Sequence, residues 1–279
     1  MPRQTPLGAE LFDELLRFGG AAENVPTELA EFFRINFEVG MRKLVDEHFE
    51  LVGPLLCQMA RYFAQFRHAR KGPYEELFDR LKQIDVLPVV ATLNYDLLIE
   101  YAARRVGWGP KYGNDGNEQH ERWLNLLKLH GSCNFIPKDS SDMGGEFFGE
   151  MNFVIGGGMD CFDGEEAFLR HKNEKLIPPV MSAYVEGKSC YTCPEILKKF
   201  QHEWSSAALS AKNIIIIGVA LNEADDHIWR PIAHTNAKIS AIDQNPDPIL
   251  RWGQNIPKTI NVIGFDFAKS IQSIVDTIS

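Results

Sequence analysis

Residues 89–96 read Val89-Val90-Ala91-Thr92-Leu93-Asn94-Tyr95-Asp96, and residues 126–134 read Leu126-Leu127-Lys128-Leu129-His130-Gly131-Ser132-Cys133-Asn134. Each is a short apolar run that breaks into polar groups at its C-terminal end. In an open parallel sheet those ends line the crevice where ligands bind. Working outward, the spacing predicts strands over 86–92 and 126–130, and three more over 214–218, 238–243 and 259–263. Ile214-Ile215-Ile216-Ile217-Gly218 is the plainest of them. A helical pattern follows the first strand at 96–104, with Leu97, Leu98, Tyr101 and Ala102 on its inner face. Continuous apolar strands with helices between them require a parallel sheet covered on both faces.

Upstream, residues 9–85 are helical in pattern. Leu55, Met59, Tyr62, Phe63 and Phe66 recur at helical spacing, as do Leu29, Phe32, Phe33 and Phe37; these stripes read as core. Gly19-Gly20 and Gly72-Pro73 punctuate the run. The expected fold is therefore α/β, a Rossmann-like parallel sheet with helices on both faces and an N-terminal helical elaboration. A single domain over 1–279 is expected, with the helical segment at 9–85 and the sheet core at 86–279. Residues 107–123 and 138–165, rich in Gly, Asp and Asn, read as surface loops.

The chain has 279 residues, 44% hydrophobic and 24% charged, enough for a sizeable core. A net charge of −9 argues against a surface built to neutralise phosphates, so nucleic acid is not indicated as a partner. Arg61, Arg67, Arg70 and Lys71 read as a solvated helix end that complements the macrodipole. No apolar run approaches the roughly 20 residues that cross a bilayer, and the first residues lack the apolar stretch of a signal peptide. A cytoplasmic protein without a membrane partner is expected. Five cysteines, an odd count at irregular spacing, fit reduced thiols.

The polar residues at the strand ends admit two readings. Asn94 and Asp96 stand at the entry to a helix, where either can cap it. His130 alone could be a satisfied core histidine, and Gly131-Ser132 a plain turn. Their occurrence at one edge of one sheet favours a site. Gly218 would let a ligand approach the backbone closely. Asn222 can cap the next helix, with Glu223 and Asp225 in its first turn. Asp243 and Asn245 place an acid and an amide at the crevice, where an acid commonly holds ribose hydroxyls. Asn245-Pro246-Asp247-Pro248 is equally good turn chemistry.

Taken in order, Thr92-x-Asn94-x-Asp96, Leu129-His130-Gly131-Ser132, Ile216-Ile217-Gly218-x-x-Leu221 and Asp243-x-Asn245-Pro246 resemble the SIR2 superfamily, most of all the bacterial SIR2-like NAD-consuming domains of anti-phage defence. Pro6-Leu7-Gly8-Ala9-Glu10-Leu11-Phe12, Lys175-Leu-Ile-Pro-Pro179 and the 200–206 stretch with Trp204 are similar to that branch too. The resemblance implies an enzyme that cleaves the nicotinamide–ribose bond of NAD, its substrate. Asn94 would position the ribose and attacking water, and His130, of a type that titrates near ~6.5, would be the general base. Thr92, Asp96, Gly218, Asp243 and Asn245 would contact NAD. It also implies self-assembly into a homo-oligomer and a defence-system partner protein. A binding or assembly subunit without turnover, and an NAD-dependent deacylase, are the alternatives.

The chain departs from that pattern at three places. The family's opening strand and Gly-Ala-Gly-x-Ser loop, which cradle the pyrophosphate, have no counterpart ahead of Pro6, and Ile155-Gly-Gly-Gly158 precedes no helical pattern. Either the N-terminus is truncated or nucleotide binding is weak, and a central strand would be missing. Val219-Ala220 stand where the family tends to carry hydroxyl residues. Cys190-x-x-Cys193 is a single pair, whereas structural zinc wants four ligands, so zinc is not expected.

Overall fold

The computed structural model describes residues 6, 8–67, 71–113, 122–138, 146–147, 154–155, 158–173, 178–183, 190, 192–222 and 225–279. Leu7, Arg70, residues 156–157, residues 175–177 and Glu223 lie outside them. The N-terminal residues form α1 (Gly8–Phe18), α2 (Thr27–Ile35), α3 (Phe37–Glu47) and α4 (Val52–Ala64). Asn36 starts α3 by accepting from the backbone N–H of Glu38 at 2.8 Å and of Val39 at 3.4 Å. Beyond α4 come α5 (Pro73–Gln83), β1 (Val89–Thr92), α6 (Leu98–Arg105), β2 (Gly109–Tyr112) and β3 (Trp123–Lys128). Pro73 opens α5, with Glu75 and Glu76 in its first turn and Arg80 and Lys82 in its last, the polarity that the helix dipole favours.

The middle of the chain supplies β4 (Phe135–Pro137), β5 (Glu146–Phe147), β6 (Val154–Ile155), β7 (Met159–Cys161) and α7 (Gly164–Asn173). Then follow α8 (Pro194–Ser210), β8 (Asn213–Ile217), α9 (Asp226–His234), β9 (Lys238–Ile242), α10 (Asp247–Asn255), β10 (Ile260–Gly264) and α11 (Ile271–Ile278). The expected loop at 107–123 thus contains β2, and that at 138–165 contains β5 to β7 and leads into α7. These short elements carry too little hydrophobic period to announce themselves. Among the described residues no helix is long and apolar enough to cross a membrane.

Two compact units emerge, and the helical stretch at 9–85 is shared between them. The first comprises Met1–Arg67, Thr92–Leu98 and Lys128–Lys199. Its aromatic stripe is core as expected: Leu55, Met59, Tyr62, Phe63 and Phe66 are all buried. Phe33 stacks on Phe12 with centroids 4.5 Å apart and meets Phe37 edge-on at 5.1 Å. Gln58 is the polar exception, buried on α4. Its amide donates to the carbonyls of Leu15 at 2.7 Å and Gly19 at 3.1 Å and accepts from Ala22 N–H at 2.7 Å, so the turn after α1 is tied down by one side chain. β4 pairs antiparallel with β7, and β5 with β6.

The second unit comprises His68–Ala91, Ile99–Leu127 and Phe200–Ser279. It holds two three-stranded sheets, ordered β1-β3-β2 and β10-β9-β8. β2 runs parallel to β3, and β8 and β10 run parallel to β9. Residues Ile239 to Ile242 of β9 are all buried, so both faces of that strand are covered. Leu77, Phe78, Ile99, Trp108, Leu124 and Ile274 belong to one core cluster that joins α5, α6 and α11 to the strands. The α/β class with parallel sheets is as the alternation of strands and helices requires.

Candidate functional site

In the first unit the loop after β1 and the turn after β3 are bonded to each other. Leu129 N–H donates to the Thr92 carbonyl at 3.0 Å, and Cys133 N–H donates to the Tyr95 carbonyl at 3.0 Å. Ser132 Oγ adds a hydrogen bond to the same Tyr95 carbonyl at 3.3 Å, and Lys128 Nζ reaches the Asp96 carbonyl at 2.5 Å. Thr92, Asn94, Asp96 and His130 are thereby brought into one small constellation. β3 ends at Lys128, two residues short of His130, because Leu129 and His130 enter the turn.

The side chains divide between scaffold and display. Thr92 Oγ1 accepts from Asn94 N–H at 3.2 Å, and Asp96 Oδ1 accepts from Leu98 N–H at 3.0 Å, which caps α6. The capping reading of Asp96 is thus realised. Asn94 itself is exposed, whereas Asp96 and His130 are 5% and 4% exposed. A cavity of about 80 Å³ lies beside the loop, lined by Gly8, Leu11, Phe63, Leu93, Asn94 and Asp96 among others.

The turn that carries His130 rests on a third segment of the same unit. Ser182 N–H donates to the His130 carbonyl at 2.8 Å, Ser132 N–H donates to the Val180 carbonyl at 3.2 Å, and Gly131 bridges Met181. Tyr95 Oη donates to the Ser182 carbonyl at 3.0 Å. Residues 178–183 therefore clamp the constellation from behind. Sequence reasoning missed this role; the Pro178-Pro179 pair marks an extended segment but says nothing of what it packs against.

Gly218, Asp243 and Asn245 lie in the second unit. Gly218 has φ +59°, a conformation that glycine adopts freely, and a Cβ built there meets nothing within 4 Å. Asp243 Oδ1 accepts from Asn245 N–H at 2.8 Å, which turns the chain there, whereas Asn245-Pro246-Asp247-Pro248, expected as a turn, leads into α10 at Asp247. Asn222 does not cap α9, which starts at Asp226 after Asp225. A larger cavity of about 690 Å³ lies between α9 and α10, lined by Asn222, Asp226, Trp229, Arg251, Trp252 and Asn255 among others. None of Gly218, Asp243 and Asn245 lines it.

Burial pushes the pKa of the Cys190 thiol up to about 12 and that of Cys193 up to about 11, with Glu195 adding to both. Cys190 Sγ donates to the Thr192 carbonyl at 2.9 Å.

No protein-family model and no curated protein matches this chain. Solved structures are similar to it in outline. Sir2Tm bound to a propionylated peptide aligns over 91% of this chain and 86% of its own, at 12% identity and a TM-score of 0.49. Sir2 with a p53 peptide and NAD+ aligns over 86% and 83%, at 12% identity and 0.46. A Sir2 homologue in complex with ADP-ribose aligns over 85% and 76%, at 14% identity and 0.45.

Proposed function

We propose that this chain processes NAD, cleaving the nicotinamide–ribose bond and transferring the ADP-ribosyl group to water. The observation that carries the reading is the bonding of the Thr92–Asp96 loop to the turn that bears His130. It makes one constellation of the two motifs that stand first in the SIR2-like order. In the reaction the C1′–N bond breaks, and nicotinamide departs neutral with the bonding pair. The oxocarbenium-like ribosyl cation is stabilised by oriented dipoles, and water attacks C1′. Asn94 orients the ribose and the water through its amide, and His130 accepts the water proton. Thr92, Asp96, Gly218, Asp243 and Asn245 are the proposed contacts to NAD.

The test is nicotinamide release from NAD by the purified chain beside Asn94→Ala and His130→Ala. Turnover that disappears in both supports the reading, and turnover that persists in both refutes the assignment. Release that requires an acylated peptide would move the reaction to deacylation. The alternative is a chain that engages nucleotide without turning it over; binding of NAD by calorimetry without nicotinamide release would select it.

A further inference from the structure

Lys128 is the last residue of β3, set between Leu127 and Leu129, and all three are buried to 1% exposure or less. Burying a polar head group among leucines is unfavourable unless it is hydrogen-bonded. What the lysine supplies is a donor. Its Nζ donates to the Asp96 carbonyl at 2.5 Å, a charge-assisted bond. The carboxylate of Asp96 is engaged separately, on Leu98 N–H. Asp96 is therefore gripped at both its main-chain and side-chain oxygens, at the far end of the loop that displays Asn94.

The other grips on this loop come from Leu129, Ser132 and Cys133. Two of those are main-chain bonds that most substitutions would leave intact. Lys128 is the charged member, and it stands two residues ahead of His130 on the same strand end. We propose that Lys128 is a positioning residue: it fixes the Thr92–Asp96 loop, and with it Asn94, in register with His130. The inference rests on the NAD-processing reading for its effect on turnover, but not for its effect on the loop. Displacement of a positioning group by about 1 Å can cost on the order of 100-fold in rate.

The test compares the whole chain with Lys128→Met, which keeps the volume and removes the donor. Expected are faster hydrogen exchange over residues 92–98, a kcat for nicotinamide release lower by about 30-fold, and a KM for NAD within about threefold of the parent. A purely structural lysine would change neither the exchange of that segment nor kcat alone. Should Lys128→Met fail to fold, replacing Leu97 by its α-hydroxy acid weakens the Asp96 carbonyl as an acceptor with every side chain in place, and the same changes are expected in smaller measure. Unchanged exchange over 92–98 in the variant that folds overturns the inference whatever the turnover, as does a kcat within threefold of an active parent. A parent chain without turnover tells against the NAD-processing reading alone, because the exchange measurement still decides the role of Lys128.

Discussion

Gly131 stands so close to Val180 that a Cβ on it would lie 2.0 Å from the Val180 carbonyl oxygen and 2.8 Å from Met181 Cα. Its φ of +89° is one that a side chain rarely tolerates. The turn that bears His130 can therefore sit on residues 178–183 only because position 131 has no side chain. Gly131→Ala should cost about 3 kcal/mol, from backbone strain and overlap with main-chain atoms together. Gly218→Ala, with φ +59° but open space around it, should cost only about 1 kcal/mol. Urea denaturation of the two variants measures the difference; equal costs would mean that the clamp relaxes.

Asn94 is exposed and its backbone is held by Thr92, so its side chain contributes little to folding. Asn94→Ala should leave the melting temperature within about 2 °C of the parent while nicotinamide release falls by at least about 100-fold. A large drop in melting temperature would make Asn94 a structural residue instead.

Gln58→Leu would leave Ala22 N–H without its partner and remove a donor from the Leu15 and Gly19 carbonyls. Gly19 keeps Arg61 Nη2 at 3.3 Å and the Leu15 carbonyl keeps the Gly19 N–H at 3.1 Å, so the loss falls mainly on Ala22 N–H. A cost of about 2–3 kcal/mol is expected in urea unfolding, with m unchanged. A smaller cost would show that water enters the turn.

His171, on α7, is held neutral. Burial lowers its pKa from 6.5 to about 4, against the opposing hydrogen bond of Nε2 to the Cys133 carbonyl at 2.8 Å. Above pH 6.5 the ring is neutral in both folded and unfolded chains. As pH falls the unfolded chain takes up the proton first, so stability declines between about 6.5 and 4, by about 3 kcal/mol in all. His171→Gln, which keeps a donor and cannot titrate, should flatten that decline relative to the parent. Parallel pH profiles for the two proteins would assign the acid sensitivity to other groups.

Much of the fold was legible because it rests on local pattern. The apolar runs ending at Thr92, Gly218 and Asp243 place β1, β8 and β9 to within a few residues, since short apolar, β-branched runs bounded by polar or glycine residues favour strands. The aromatic stripe of α4 was legible for the same kind of reason, because a helix buries one face at a fixed period. Strand β2 and helix α7 were not, being short and mixed in polarity, and Asn222 was misplaced as a cap because several polar residues before α9 are equally good candidates.

For the site, the sequence by itself determined which residue types stand at the strand ends and in what order: Thr92, Asn94, Asp96, His130, then Gly218, Asp243 and Asn245. Asp96 caps α6 and Asp243 closes its own turn through amides two residues on, contacts that the local sequence already offered. That Asn94 is left exposed while His130 is buried was a tertiary matter. The clamp of residues 178–183 on Gly131 and the burial of Lys128 against Asp96 join segments far apart in the chain. Period and propensity report only on neighbours along the chain, so contacts of that kind emerge only when the backbone has folded.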